Sequence, residues 1–339
     1  MKIIAIDAMG GDHGPRAVLP AVEDALRLYS HLKVILVGLQ SAMDDHAEKL
    51  PEPLRSRVEY VYASEVVEMG ESPAKAMRNK KDSSMRIAIN LVKEGRADAC
   101  VSSGNTGALM ATARFVLKTL PGIDRPAILS RFPTRKDVPV RVLDLGANVD
   151  SSAQHLYQFA MMGSIVASAV AGIKNPKVGL LNVGEEDIKG NEQVKKTAEL
   201  LQASDAINYV GYVEGDALFS GAVDLIVCDG FVGNIALKAV EGAVRFVGAH
   251  LSRAYNKSWI TRFCFLPLRP VKKMIDPRRY NGASFVGLDG VVIKSHGSAD
   301  RLAFLKAIEE ALAEVDENVP QLIKDNLRHD ISVETIKEE

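Results

Sequence analysis

Short apolar runs alternate with longer segments of helical spacing along most of this 339-residue chain. The runs are KIIAID, KVILVG, VEYVYA, ADACVS, PAILSRF, VRVLDL, KVGLLNV, INYVGY, DLIVCD and GVVIKS, apolar or β-branched and without a clean period of two. A strand with one wet face alternates; a strand covered on both faces does not, as in a parallel sheet sandwiched between helices. The segments near 15–30, 83–95, 105–119, 151–172, 191–203, 233–257 and 299–315 place apolar residues at helical intervals. Several of these open on Ser, Asn or Asp, which cap a first helical turn. This βαβ rhythm predicts right-handed crossovers and an α/β fold, a three-layer α/β/α doubly wound, mostly parallel sheet. No repeat or low-complexity linker divides residues 1–339. They are expected to form a single α/β catalytic domain, in one lobe or in two whose boundary composition does not mark.

Residues 253–279 break the rhythm. This stretch carries eight Lys or Arg against one acid, Asp276, and holds the only tryptophan, Trp259. Pro267 and Pro270 interrupt any continuous helix around its bulky FCFLPLRP centre, so it is expected to be a basic, apolar helical arm. Elsewhere, 42 basic and 43 acidic residues nearly cancel. No whole-molecule field is left to hold nucleic acid or an anionic membrane, so a charged partner must be met locally. The apolar start ends at Asp7, too soon for a signal peptide, and no stretch reaches a membrane-spanning length, so a cytoplasmic chain is expected. Cys100, Cys228 and Cys264 are too scattered for a disulfide framework or a zinc site. Cys100 and Cys228 lie in apolar strands and read as inert core thiols.

Ligands of open parallel sheets sit beyond the carboxyl ends of the strands. Six segments at such positions combine glycine with small polar or charged residues, namely DAMGGDHGP (7–15), SSGNTGAL (102–109), DLGANVD (144–150), NVGEEDIKGNE (182–192), CDGFVGN (228–234) and IKSHG (293–297). Glycine lets backbone N–H groups approach an anion, and a following helix adds its positive end. Ser103, Gly104, Asn105, Thr106 and Gly107 suit a phosphate best, since they pass from a strand directly into a helix. Any one such loop is equally well a turn with an N-cap; six together favour a ligand. The dinucleotide fingerprint GxGxxG and the P-loop GxxxxGK[ST] are both absent, so neither NAD nor ATP is indicated.

Single residues each have a plainer reading beside the functional one. Lys189 follows Glu185, Glu186 and Asp187 and is either a ligand-binding lysine or part of a solvated charged turn. His296, beside Lys294, is either an acid or hydrogen-bond donor or a buried structural imidazole. His13 reads as a ligand contact or a loop-ordering residue. Asn148, Asn182 and Asn234 are individually turn formers, and their recurrence after strands favours polar contacts to one ligand.

The motifs IDAMGGDHGP, SSGNTGALM, LDLGANVD, LLNVGEED, KG after Ile188, VCDGFVGN, YNGASFVGL and VIKSHG, in this order, resemble the bacterial PlsX family. These are acyl-acyl-carrier-protein:phosphate acyltransferases, and the likeness runs from Ile6 to beyond Gly297. The resemblance implies a fold related to phosphotransacetylases and isocitrate dehydrogenase, a homodimer, and acyl transfer from acyl carrier protein to inorganic phosphate. The acyl phosphate would feed phospholipid synthesis by a membrane glycerol-3-phosphate acyltransferase.

That chemistry needs no cofactor, no metal and no Ser-His-Asp triad. Phosphate is already an anionic nucleophile and a thioester has a good leaving group, so positioning, oxyanion donors and a proton for sulfur suffice. The expected roles are phosphate binding by Ser103, Gly104, Asn105, Thr106 and Gly107, neutralisation by Lys189, and action near the thioester by Asn234 and His296. Asp7, Gly10, Gly11, His13, Asn148, Asn182, Gly184, Asp229 and Lys294 are expected to contact substrate. In the arm, Trp259, Phe263, Phe265, Leu266 and Leu268 beside Arg262, Arg269, Lys272 and Lys273 suit a peripheral membrane surface or the carrier protein; a dimer interface is the plainer reading. An oxidoreductase of the same fold and a non-catalytic recruiting protein are the rival functions.

Overall fold

The computed structural model describes residues 1–136, 138–255, 274 and 276–327. The centre is one eleven-stranded sheet in the order β3-β2-β1-β4-β11-β10-β5-β6-β9-β7-β8. Its strands are β1 Lys2–Asp7, β2 Leu32–Leu39, β3 Val58–Ala63, β4 Ala99–Ser102, β5 Ala127–Phe132, β6 Val140–Leu143, β7 Val178–Leu181, β8 Tyr209–Val213, β9 Leu225–Val227, β10 Ala283–Val286 and β11 Val291–Lys294. All ten apolar runs are strands. The eleventh, β10, is short and lies between Gly282 and Gly287, which masked it in the sequence.

The sheet is parallel on both flanks, but β10 is antiparallel to β11 and to β5, and β5 is antiparallel to β6. Strands β6 to β9 therefore run opposite to β1, β4 and β11. The carboxyl ends of the two halves face opposite edges of the sheet.

Helices cover both faces. Helices α1 (Pro15–Leu28), α7 (Ala153–Ala171), α8 (Glu192–Gln202) and α11 (Arg301–Asp316) lie on one side, where Ile4, Ile6, Leu36, Phe159, Leu225, Phe304 and Ile308 are fully buried. On the other side, α5 (Ser84–Lys93), α6 (Thr106–Leu117) and α10 (Gly230–Tyr255) cover Ala5, Ile35, Cys100, Ile226, Phe285 and Val292. These seven are the helices expected from spacing. Further helical stretches among the described residues have no such signal in the sequence: α2 (Gln40–Lys49), α3 (Glu52–Arg55), α4 (Pro73–Asn79), α9 (Ala217–Ser220) and residues 319–327. Side-chain caps act as expected: Asn105, Ser152, Asn191 and Asp300 each accept a backbone N–H of the first turn they precede.

Among the described residues no helix is long and apolar enough to cross a membrane. The arm residues 256–273, including Trp259, Arg262, Phe263, Phe265, Leu266, Leu268, Arg269, Lys272 and Lys273, lie outside the described residues, as does Cys264.

Candidate functional site

The last residues of three neighbouring strands stand in one row: Asp7 of β1 pairs with Ser102 of β4, and Ser102 with Lys294 of β11. Asp7 is 1% exposed. One carboxylate oxygen accepts the Ser84 hydroxyl at 2.7 Å and the Met9 N–H at 3.2 Å, and the other accepts the Ser102 hydroxyl at 2.6 Å. Burial raises its pKa, and these donors oppose the rise. Asp7 thus ties the ends of β1, β4 and α5 together.

Three loops leave this row and interlock. Asp12 donates its backbone N–H to the Gly297 carbonyl at 2.8 Å, and the Ser103 hydroxyl donates to the Gly10 carbonyl at 2.8 Å. At Gly10 a Cβ would lie 2.6 Å from the Gly104 nitrogen. Gly11, at φ +81°, is in the left-handed region, and its Cβ would meet the Gly297 carbonyl at 2.7 Å. Only glycine permits both approaches.

Lys294 projects into this junction and is 7% exposed. Its amine donates to the carbonyls of Ser103, at 3.3 Å, and Ser295. No carboxylate lies within ion-pair distance of it among the described residues. Burial brings its pKa down to about 8, with the charges of Asp7 and Asp12 opposing the fall. A nearly enclosed cation with no carboxylate in ion-pair contact, ringed by glycine loops and the start of α6, has the chemistry to accept a small anion.

Thr106 and Gly107 are exposed at the α6 N-terminus, where the first-turn N–H groups have no helical partner. Asn105 is committed elsewhere. Its carbonyl oxygen accepts the Ala108 N–H at 2.9 Å, and its amide donates to the carbonyls of Met69 at 2.7 Å and Glu71 at 3.0 Å. Its side chain is therefore confined to shaping the loop, and only its backbone N–H is left for an anion.

His296 is half-exposed beside this site, and His13 lies exposed on the neighbouring loop. The His296 Nδ1 accepts the Ser298 backbone N–H at 3.2 Å, which places the neutral ring's proton on Nε2. That Nε2 lies 4.0 Å from the Glu241 carboxylate on α10. Burial lowers the His296 pKa, Glu241 raises it, and Lys294 and Lys238 lower it further. Near neutral pH the ring is therefore an N–H donor without charge.

The remaining residues expected at the site form a second group at the ends of β6, β7 and β9. Asp144, fully buried, plays the part of Asp7: it accepts the backbone N–H of Ile128, Gly146, Ala147 and Asn148 at 2.7–3.2 Å. Asn148 is buried, and its amide donates to Asp144 and to the Pro126 carbonyl, both at 2.9 Å. Asp229 caps α10 through the Val232 N–H at 2.9 Å. Asn182 donates to the carbonyls of Gly184, at 3.0 Å, and Lys189. These are loop-forming bonds. Asn234 is exposed, with its Cβ 3.2 Å from where a Gly146 side chain would begin.

Lys189 is exposed and ion-paired with Glu186 at 2.7 Å, which raises its pKa. Five strand spacings, about 24 Å, separate β7 from β11, and the ends of the two strands face opposite edges. Within one chain Lys189 and Ser103 cannot touch the same phosphate; Lys294 is the cation at Ser103. Helix α10 joins the two groups. Lys238 and Glu241, near Lys294 and His296, follow Asn234 on one face, with Glu241 about 10 Å along the axis.

Comparison with known proteins places the chain in a family and matches its fold. The family model described as "Fatty acid synthesis protein" matches residues 1–322. The chain belongs to that family. It is 56% identical to the phosphate acyltransferase of Coxiella burnetii (strain Dugway 5J108-111) over 337 residues, 97% of each chain. It is 54% identical to that of Methylococcus capsulatus over 331 residues, 96% of this chain and 97% of the relative. In fold it is similar to a phosphotransacetylase from Streptococcus pyogenes, with TM-score 0.62 at 18% identity over 93% of this chain and 94% of that one. A branched-chain phosphotransacylase from Enterococcus faecalis V583 gives 0.57 at 16% identity, over 92% and 99%. The three-layer fold expected from the family is thus found.

Ser84, Ser102, Asn281, Lys238 and Glu241 join the site without having been expected from the sequence. Ser102 was findable, since it begins the SSGNTG motif. Asn281, whose side chain holds the Ser295 hydroxyl at 2.8 Å and accepts the His296 N–H at 2.9 Å, sits in YNGASFVGL, a motif that carries family likeness but no obvious chemistry of its own.

Proposed function

We propose that this chain transfers a fatty acyl group from acyl carrier protein to inorganic phosphate, giving acyl phosphate and the free carrier thiol. The observation that carries the reading is the buried, counterion-free Lys294 amine where the loops after β1, β4 and β11 meet. Membership of the fatty acid synthesis family supplies the acyl donor. Phosphate is held by Lys294 and by the backbone N–H groups of Gly11, Asn105, Thr106 and Gly107, since those of Gly10, Asp12 and Gly104 are spent on Asp7, Gly297 and Ser102. One of its oxygens attacks the thioester carbonyl carbon, the C–S bond breaks, and the proton of hydrogen phosphate ends on the departing sulfur. Neutral His296, with its proton on Nε2, donates to the oxyanion or relays that proton. Asn234 serves the acyl or pantetheine portion further along α10. Lys189, at the other edge, is left to substrate contact from its own loop.

The chain works in the cytoplasm as a homodimer, peripherally bound to the membrane through the 253–279 arm, and passes its product to a membrane glycerol-3-phosphate acyltransferase. Pairing is supported by α10, which leaves Phe231, Val232, Ile235, Phe246, Val247 and Leu251 exposed. The catalytic claim is tested by incubating purified protein with acyl-acyl-carrier-protein and labelled phosphate, then trapping the product with hydroxylamine. Labelled acyl phosphate and a hydroxamate are expected. Free fatty acid without acyl phosphate would make the chain a hydrolase and refute the reading.

A further inference from the structure

Helices α4, α5 and α6 contain five Lys or Arg and no Asp or Glu, in a chain whose charges nearly cancel as a whole. Lys75, Arg78 and Arg114 are exposed, Arg86 is half-buried, and Lys118 follows α6 directly. Lys80, between α4 and α5, is neutralised by Glu71 at 2.8 Å. The other five have no carboxylate within ion-pair distance among the described residues. Their charge is available to a partner.

An aromatic ring lies among these cations. Phe115 is 52% exposed, with the Arg86 guanidinium 5.2 Å and the Lys118 amine 5.0 Å from its centroid. Each cation faces the ring's electron-rich surface, which holds both without consuming their charge. An exposed aromatic between two cations is the composition of an interface anchor. The face also adjoins the anion site. Pro73, which opens α4, packs against Gly107 in the first turn of α6, so closely that a Cβ on Gly107 would lie 2.7 Å from the proline ring. Phe115 is nine residues along α6 from Thr106, about 14 Å away.

We propose that the α4–α6 face is the docking surface for the acidic carrier protein that brings the thioester. The inference rests on the catalytic reading above and locates its macromolecular substrate. Acidic helices of the carrier meet Arg78, Arg86, Arg114 and Lys118, Phe115 packs at the centre, and the flexible prosthetic arm runs along α6 to the anion site. Steering by these charges raises the encounter rate, and salt screens it.

The test compares wild type with the triple variant Arg78→Glu, Arg86→Glu, Arg114→Glu, and separately with Phe115→Ala. Transfer to phosphate is measured from acyl-acyl-carrier-protein and from a neutral acyl-N-acetylcysteamine thioester. The triple variant is expected to lose about 10- to 100-fold in kcat/KM with the carrier-linked donor at low salt. The small thioester should be used as by wild type, with thermal unfolding unchanged. Phe115→Ala should show the same selectivity with about a 10-fold loss. Equal losses with both donors, or no loss with either, would overturn the proposal. So would retained carrier turnover with lost binding to phosphatidylglycerol vesicles, which would make the face a membrane contact. If wild type formed no acyl phosphate from either donor, the catalytic reading would fail. Titration of holo carrier protein into wild type and triple variant then decides docking alone: binding lost only in the variant supports it, and equal binding overturns it.

Discussion

Replacing Lys294 by methionine keeps an unbranched side chain one atom shorter and removes its charge, and the structure predicts effects of opposite sign on stability and on phosphate binding. The folded-state pKa of about 8, against 10.5 for a free lysine, means that burial disfavours the charged amine. At about 1.4 kcal/mol per unit, carrying that charge costs the empty protein about 3 kcal/mol near pH 7. The substitution also strips a donor from the Ser103 and Ser295 carbonyls, a loss of about 1–2 kcal/mol. Lys294→Met should therefore be about 1–2 kcal/mol more stable than wild type at pH 7. Because the folded-state pKa is depressed, the unfolded chain binds more protons between pH 8 and 10.5, and wild-type stability rises across that window. Above it only the lost hydrogen bonds remain, and the variant should be the less stable of the two. Phosphate loses its buried cation, worth about 2–5 kcal/mol, so its KM should rise at least about 30-fold. Denaturant unfolding at pH 7 and above pH 10.5, with phosphate titrated in the transfer assay, measures all three. A variant less stable than wild type at both pH values, with an unchanged phosphate KM, would show that the amine is merely a structural donor.

Three further substitutions probe the neighbouring histidine, the α6 cap and a buried carboxyl. His296→Ala should lower kcat by about 10²- to 10⁴-fold with unfolding unchanged; activity within a few-fold of wild type would remove His296 from the mechanism. Asn105→Ala removes the α6 cap and two tethers to the 69–71 loop, and should cost about 2–3 kcal/mol in denaturant unfolding; a loss below about 0.5 kcal/mol would deny the side chain its structural role. Glu314 is fully buried, and burial with the nearby Glu310 charge raises its pKa to about 8. Stability from a raised carboxyl is complete below the unfolded value of 4.5 and lost as pH climbs through 8. Glu314→Gln should remove a fall of about a few kcal/mol across that window, and a variant with the wild-type slope would contradict the assignment.

The strands were legible because parallel strands covered on both faces cannot hide their apolar continuity; β1, β2 and β4 read directly from KIIAID, KVILVG and ADACVS. Strand β10 was not, since four residues between two glycines resemble a loop. Its brevity conceals the reversal of direction through β10 and β5, and with it the fact that the Lys189 loop ends at the other edge of the sheet. Site residues divide in the same way. The row Asp7, Ser102 and Lys294 is implied by three motifs at strand ends, but the demands on each asparagine are not. Asn105, Asn148 and Asn182 all look like ligands in sequence, and all three spend their amides on backbone carbonyls or on Asp144. The buried polar group on the other face was invisible. Arg131 pairs with Glu310 at 2.9 Å, and Arg141 lies opposite Arg131 on β6, yet both arginines read as ordinary polar positions in PAILSRF and VRVLDL.

Catalysis as derived above requires the oxyanion to sit where the loops after β1, β4 and β11 meet. A crystal structure of the protein soaked with inorganic phosphate would show whether it does. Phosphate density is expected within hydrogen-bonding distance of the Lys294 Nζ and of the backbone N–H groups of Gly11, Asn105, Thr106 and Gly107. Phosphate bound instead at the 182–190 loop beside Lys189, with the Lys294 junction empty at saturating concentration, would refute that placement.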